Sequence, residues 1–185
     1  ESIAARIAEI YDNIYSLSGK VALKDIFADT DVATGITIPG PSKEYALEAV
    51  AKRIDSRESD DIDKETIVNA VSTQLSVNFG DTKKLLLTGD SSFEALKDNL
   101  KDHSAIQLPH HGKLVQAEEI FDVNDNYTVY FVSDNTGDTN GGSDKLVEKY
   151  KRGHVIYNTR NGDQICERST FRVTASVGSY LWGRG

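Results

Sequence analysis

The feature that most constrains the fold is a pair of short apolar runs that each end abruptly in small and ionisable residues. The first run, residues 84–88, is followed by Gly89 and Asp90, and the second, residues 105–108, is followed by Pro-His-His-Gly at 109–112. The residues between them predict a helix. Strand, helix and strand in this order can bring two parallel strand ends side by side. We therefore expect Asp90 to lie close to the paired histidines.

Helical and strand patterns also precede this unit. Apolar residues recur at helical spacing over residues 2–17 and 44–54, and Ser42 is the expected N-cap of the second helix. Alternation over residues 35–39 predicts a strand that stops at Pro39. The second helix is expected to bury one apolar face, made of Tyr45, Leu47, Ala49, Val50 and Ile54.

The remaining segments are shorter and mixed in type. Alternation over residues 71–79 predicts a strand that pairs with 84–88, whereas the charged stretch 55–65 is interpreted as a solvated loop without chemistry. Further on, the pattern predicts a strand at 127–133, a helix at 144–151 and a last strand within 170–185. Asn161-Gly162 is a hairpin turn signal, so the strands flanking it, 154–157 and 164–167, are expected to pair.

These elements predict one α/β domain over residues 1–185, with a mixed β-sheet flanked by helices. The lone cysteine, Cys166, cannot form an internal disulfide, which favours a reducing, cytoplasmic compartment. No apolar run approaches the length of a membrane span, so no membrane partner is expected. The net charge of −8 disfavours long nucleic acid as a partner without excluding a local basic groove.

The two strand-end loops carry the candidate chemistry. A carboxylate and neutral imidazoles are good ligands for first-row metal ions, so Asp90, His110 and His111 are candidate metal ligands. Each loop alone has an ordinary alternative: Gly89-Asp90 is typical of a turn or N-cap, and a His-His pair is a weak signal. Only their conjunction around a helix favours a metal site.

The motifs together resemble the C-terminal half of a metallo-β-lactamase-fold hydrolase. The similarity runs through residues 72–90, 108–112, 129–133 and 155–162, with 36–45 fitting upstream, and is closest to competence-associated DNA-uptake hydrolases and phosphorylcholine esterases. The resemblance implies part of an αββα sandwich. It also implies a binuclear site, commonly of zinc but open to other divalent metals, that activates water for hydrolysis of an ester or phosphoester.

Carried over to this chain, the resemblance makes Asp90 the ligand that bridges the metals and His111 a ligand to the second metal. His110 would contact substrate or support the ligands, and which histidine binds metal stays open. The family's His-x-His-x-Asp-His motif is absent, because the four histidines are His103, His110, His111 and His154. As the sequence stands, the binuclear site is expected to be incomplete.

Two further departures affect the expected substrate contacts. Lys113 stands where relatives often carry serine, and its cation would either contact an anionic substrate or face solvent. The loop at 135–143 lacks the His-Pro pair that relatives often carry before the last helix. His103 and His154 are expected to be structural or exposed.

Three functions remain as hypotheses. The first is a metal-dependent hydrolase whose N-terminal half is a separate chain or a removed segment, since the sequence begins at Glu1 without methionine. The second is a non-catalytic interaction or scaffold protein that keeps half the fold. The third is a small domain that binds metal weakly through Asp90 and His111 in a sensing or structural role.

Overall fold

A computed structural model of the chain describes residues 9, 12–13, 16, 26–55, 61–80, 83–124, 128–134, 138, 142, 144–166 and 173–176. Eleven strands and five helices are found there, together with single turns of helix at Lys97–Asn99, Pro109–Gly112 and Thr159–Asn161. In chain order they are β1 (Thr30–Ala33), β2 (Ile36–Ile38), α1 (Lys43–Asp55), β3 (Asp61–Ile62), β4 (Glu65–Thr66), α2 (Ile67–Ala70), β5 (Leu75–Asn78), β6 (Lys84–Leu87), α3 (Phe93–Leu96), β7 (Ala105–Gln107), α4 (Leu114–Val123), β8 (Val129–Val132), α5 (Leu146–Tyr150), β9 (Val155–Asn158), β10 (Asp163–Cys166) and β11 (Val173–Ser176).

Seven strands form one mixed sheet in the order β1-β2-β5-β6-β7-β8-β9. The strands from β1 to β6 pair antiparallel, and those from β6 to β9 pair parallel. The predicted α/β class with a mixed sheet and flanking helices is therefore confirmed. Because α3, α4 and α5 each connect two parallel strands, the carboxyl ends of β6, β7, β8 and β9 lie along one end of the sheet, which we call the carboxyl end.

The main core is centred on the parallel strands. Leu86, Ile106 and Tyr130 are fully buried and stand next to one another across β6, β7 and β8. The end of β8 and the connecting segments contribute further buried apolar side chains to the same cluster, namely Leu96, Leu100, Leu108, Ala117, Ile120, Phe121, Val132 and Leu146. Strand β6 lies inside the sheet between β5 and β7, with Leu86 buried and Leu85 and Leu87 partly buried, which explains the apolar run at 85–87.

Helix α1 begins as predicted but buries a narrower face than expected. The Tyr45 amide donates to Ser42 Oγ at 3.1 Å, which confirms the N-cap. Ala49 is fully buried, whereas Leu47 and Val50 remain 59 % and 47 % exposed, so the expectation for those two was wrong. The helix packs through small residues, and larger apolar side chains on its outer surface stay in contact with solvent.

Strand β5 is shorter than predicted, and the buried side chains within it and just before it are polar. It begins at Leu75, because the preceding residues form α2 and a loop. Gln74 and Ser76 are buried, since Gln74 Nε2 donates to Ala95 O at 2.8 Å and Ser76 Oγ lies 2.7 Å from His103 Nε2. Alternating hydrophobicity identified the strand, although within it the buried side chain is that of Ser76, and Leu75 and Val77 are only partly buried.

The charged stretch 55–65 was wrongly interpreted as wholly solvated. Residues 61–66 form the small hairpin of β3 and β4, in which Ile62 and Glu65 are only 8 % and 2 % exposed. Helix α4 was not predicted, although Ala117, Ile120 and Phe121 carry helical spacing and are buried. Both segments border the Pro-His-His-Gly loop at 109–112.

The C-terminal pairing also differs from the prediction. Strand β9 pairs in parallel with β8, and β10 pairs antiparallel with β11, so Asn161-Gly162 does not turn a hairpin between β9 and β10. Gly162 instead follows the helical turn Thr159–Asn161. The predicted last strand is present at Val173–Ser176.

Several predictions fall on residues outside the described part of the chain. These are most of the helix at 2–17 and most of the loop at 135–143. Among the described residues, no helix has the length and apolarity needed to cross a membrane.

Candidate functional site

The two loops that were predicted to meet do so at the carboxyl end of the sheet. Strands β6 and β7 are parallel neighbours, and the His110 amide donates to Gly89 O at 3.2 Å. One residue earlier, Thr88 Oγ1 donates to Gln107 O at 2.9 Å. These bonds join the Gly89-Asp90 loop to the segment Pro109–Gly112, which we call the histidine turn.

Asp90 is available for a ligand rather than used as a helix cap. The cap of α3 is Ser92, whose Oγ accepts the Ala95 amide at 3.4 Å. The Asp90 side chain is partly buried, and within the described residues it makes no hydrogen bond or ion pair. Gly89 has φ 56°, and an added Cβ would lie 3.2 Å from Ser72 Cβ, so the left-handed backbone and the close approach of Ser72 favour glycine there.

The histidine turn is conformationally strained. His110, His111 and Gly112 follow one another with φ values of 49°, 56° and 77°. The left-handed region costs a residue with a Cβ about 1 to 2 kcal/mol, and such strain is typically found at sites whose surroundings enforce it. The surroundings of Gly112 are packed tightly enough to enforce this backbone, because a Cβ there would lie 3.0 Å from both Leu146 Cδ2 and Val132 Cγ1.

The hydrogen bond of His111 identifies the ring nitrogen that is free to bind a ligand. Its Nδ1 lies 2.7 Å from Ser133 O, just beyond the end of β8. A carbonyl oxygen only accepts, so Nδ1 carries the hydrogen and the neutral ring presents its lone pair at Nε2. Histidines that bind metals usually have this arrangement, with the other ring nitrogen donating to a carbonyl or carboxylate.

His110 has an analogous contact, but with a carboxylate. Its Nδ1 lies 2.7 Å from Glu65 Oε2, and its Nε2 has no hydrogen-bond partner among the described residues. The rings of His110 and His111 are edge-on to each other, with centroids 6.0 Å apart. Both rings are therefore held through Nδ1 at the same sheet end.

Glu65 is a site residue that the sequence reasoning missed. Its Oε1 accepts from Lys113 Nζ at 2.8 Å and from Gln116 Nε2 at 3.4 Å. Lys113 Nζ also donates to Lys64 O at 2.7 Å. The lysine thus binds the β3–β4 hairpin, and the expectation of a solvent-facing or substrate-binding Lys113 does not describe its position. No local sequence signal distinguished Glu65 from the other acids of its charged stretch.

Ion pairs join the segments that follow β8 and β9 at the same end of the sheet. Arg160 Nη2 lies 2.7 Å from Asp134 Oδ2, and Arg160 Nη1 contacts the Asp144 carboxylate. These carboxylates raise the pKa of Arg160, with the hydrogen bond to Asp144 as the largest cause. Asp134 is buried and already paired, which distinguishes it from Asp90 as a candidate ligand.

The other two histidines have structural environments, as expected. His103 Nδ1 donates to Asn99 O at 2.6 Å and its Nε2 lies 2.7 Å from Ser76 Oγ, so both ring nitrogens have hydrogen-bond partners. His154 stacks on Phe121 with ring centroids 4.1 Å apart. Burial lowers the pKa of both His103 and His154.

A cavity of about 130 Å³ lies beside the β3–β4 hairpin. It is lined by Asp63, Lys64, Phe93, Glu94 and Glu119, and Lys64 forms an ion pair with Glu119 at 2.6 Å. Its lining includes neither Asp90 nor the histidine turn, so it is not the cleft in which those residues would act.

The donor set fits part of a metal site. Asp90 offers carboxylate oxygens and the two histidines offer Nε2, which are donor types that zinc accepts. Within the described ranges, however, no group of three or more His, Cys, Asp or Glu side chains is arranged to hold a metal ion. The described residues thus offer donor types that such a site uses, without a complete set of ligands.

Comparisons with family models, with curated proteins and with solved structures find no match to this chain. The resemblance to metallo-β-lactamase-fold hydrolases therefore depends on the motifs around Asp90 and the histidine turn and on the geometry that surrounds them.

Proposed function

We propose that this chain is the C-terminal half of a metal-dependent hydrolase of the metallo-β-lactamase fold, acting on an ester or phosphoester. The observation that carries the proposal is the strained histidine turn, whose His110 amide donates to the carbonyl oxygen of Gly89, the residue before Asp90. Strain of this kind is disfavoured unless it serves the placement of side chains. Here the strained backbone holds two imidazoles in a turn that is hydrogen-bonded to the residue before Asp90.

The order of strands and loops supports the same proposal. Antiparallel strands lead into parallel strands, and the loops after β6 and β7 carry the Thr-Gly-Asp and Pro-His-His-Gly motifs. In the proposed αββα sandwich, the seven-stranded sheet and its helices would form one half. The other half would come from a separate chain or from another segment.

In the proposed site, Asp90 would hold both metal ions with its carboxylate and His111 would hold one of them through Nε2. The hydrogen bond from His111 Nδ1 to Ser133 O orients the ring for that role. His110 contacts the substrate or serves as a further ligand. When bound, metal ions of this kind lower the pKa of water toward neutrality and so make a nucleophile available.

Metal content and hydrolysis test the proposal together. The chain is purified with any polypeptide that accompanies it, metal is measured by mass spectrometry, and hydrolysis of bis-p-nitrophenyl phosphate and p-nitrophenyl acetate is followed. Asp90→Asn is compared with Asp122→Asn, because Asp122 is an exposed carboxylate on α4. We expect two ions per complex and hydrolysis of at least one substrate, both lost in Asp90→Asn and retained in Asp122→Asn. Metal-free material without activity, or full metal content in Asp90→Asn, would contradict the proposal.

A second candidate is a non-catalytic interaction protein that retains this half of the fold. The contacts of Glu65 favour it, because Lys113 and His110 both bind a carboxylate that is 2 % exposed and so form a closed network. In that case the strained turn would be a structural element. The Asp90→Asn protein would then bind its partner with unchanged affinity, and no metal would accompany the complex.

A further inference from the structure

We propose that Glu65 is a positioning residue that fixes His110 in the tautomer with its hydrogen on Nδ1 and thereby presents Nε2 to a ligand. The inference deepens the proposed function, because the ligand at Nε2 would be the metal ion or the substrate. It assigns a role to a residue in the β3–β4 hairpin, which belongs to neither motif of the resemblance.

The groups around Glu65 compensate a buried, charged carboxylate. A carboxylate that is 2 % exposed is costly to bury unless a cation and hydrogen bonds compensate it. Lys113 Nζ supplies the cation at 2.8 Å, and Gln116 Nε2 adds a donor at 3.4 Å to the same oxygen, Oε1. The second oxygen, Oε2, remains for His110.

The tautomer of His110 follows from this charge. An ionised carboxylate only accepts hydrogen bonds, so the 2.7 Å contact between Oε2 and Nδ1 places the hydrogen on Nδ1. Asn69 Nδ2 lies 3.5 Å from the same nitrogen, and this longer contact is then not a hydrogen bond. The neutral ring then carries its lone pair at Nε2. When one imidazole nitrogen donates to a carboxylate, the other nitrogen becomes more basic than it does when the acceptor is a carbonyl. The other nitrogen is then a better ligand. Glu65 thus distinguishes His110 from His111, whose Nδ1 donates to Ser133 O.

The backbone explains how Glu65 reaches the turn. Asp63 and Lys64 have φ values of 53° and 66°, the geometry of a tight two-residue hairpin turn, and they connect β3 to β4. Lys113 Nζ donates to Lys64 O at 2.7 Å as well as to Glu65, so it joins the hairpin to the residue that follows the histidine turn. The strained backbone fixes the Cα position of His110, and Glu65 fixes its ring.

Nitrogen NMR of the metal-free chain of 185 residues tests the inference. Long-range proton–nitrogen spectra of ¹⁵N-histidine-labelled protein assign the tautomer of each ring at neutral pH. We expect His110 and His111 to carry hydrogen on Nδ1 in the wild type. In Glu65→Gln, the amide oxygen should turn toward Lys113 and the NH₂ group toward His110, which moves the His110 hydrogen to Nε2 and leaves His111 unchanged. Unchanged His103 and His154 signals show that the variant is folded.

Two outcomes would overturn the inference. One is a wild-type His110 with its hydrogen on Nε2, a result that needs no variant to fold. The other is a folded Glu65→Gln protein in which His110 keeps its hydrogen on Nδ1. A zinc titration of the same samples separates this inference from the proposed function. If the tautomer changes as expected but zinc never binds, the positioning role stands and the hydrolase proposal fails. If zinc binds, we expect its affinity to fall about 10- to 100-fold in Glu65→Gln.

Discussion

Substitution of Gly112 by alanine tests how firmly packing holds the histidine turn. Gly112 has φ 77°, and an added Cβ would lie 3.0 Å from both Leu146 Cδ2 and Val132 Cγ1. The left-handed backbone costs alanine about 1 to 2 kcal/mol, and overpacking of a buried site costs about 1 to 3 kcal/mol. Gly112→Ala should therefore lower the free energy of unfolding by about 2 to 5 kcal/mol.

Gly153 provides the matched control. It has no positive φ, and an added Cβ there would meet nothing within 4 Å. Gly153→Ala should leave the free energy of unfolding unchanged or raise it by up to about 1 kcal/mol, because alanine reduces the entropy of the unfolded chain. Both variants add one methyl group, so their difference isolates the backbone and packing costs at the turn.

Urea unfolding followed by far-ultraviolet circular dichroism measures both effects. With a urea dependence near 2 kcal/mol/M, the midpoint for Gly112→Ala should fall by about 1 to 2.5 M. The midpoint for Gly153→Ala should not fall. If the free energies of unfolding of Gly112→Ala and Gly153→Ala differ by less than about 0.5 kcal/mol, the turn adapts easily. The reasoning that packing enforces its strain would then be wrong.

Three further stability predictions use the same assay. Ser92→Ala removes both the cap of α3 and the contact at 2.6 Å to the Tyr45 hydroxyl, and should cost about 1 to 2 kcal/mol; an unchanged midpoint would show that the cap contributes nothing. Leu86→Ala empties a fully buried position and should cost about 2 to 5 kcal/mol, so a cost below 1 kcal/mol would contradict the assigned core. Burial lowers the folded-state pKa of His103 and His154, so the unfolded chain binds protons first as the pH falls through about 6.5. Stability should therefore decrease from pH 7 to pH 5, with a shallower decrease in His154→Phe; a stability that rises over this range would refute the sign.

The sequence predicted the parallel unit around β6 and β7 because its signals are local. Apolar runs of strand length, a helix between them and abrupt polar ends are features of consecutive residues. The cap at Ser42 was predicted for the same reason, since an N-cap hydrogen bond joins residues three positions apart. The contact between the Gly89 and His110 loops followed from these local elements and from the geometry of parallel strands.

The missed features depend on contacts between distant residues. Glu65 sits in a charged stretch, and only the hairpin turn at Asp63 and Lys64 brings it against His110. Ser76 is buried because His103, far along the chain, supplies its hydrogen-bond partner. Asn161-Gly162 has the composition of a hairpin turn, but β9 pairs with β8 instead. Turn and hydrophobicity signals do not specify such long-range partners.

A zinc titration of ¹⁵N-histidine-labelled protein tests the central claim most directly, because NMR detects weak binding to an incomplete ligand set. We predict that zinc shifts Nε2 of His111, and of His110 if it is a ligand, while the rings of His103 and His154 do not respond. The shifts should disappear in Asp90→Asn and persist in Asp122→Asn. If millimolar zinc leaves His110 and His111 unchanged, or shifts them equally in Asp90→Asn, the carboxyl end of this sheet is not a metal site.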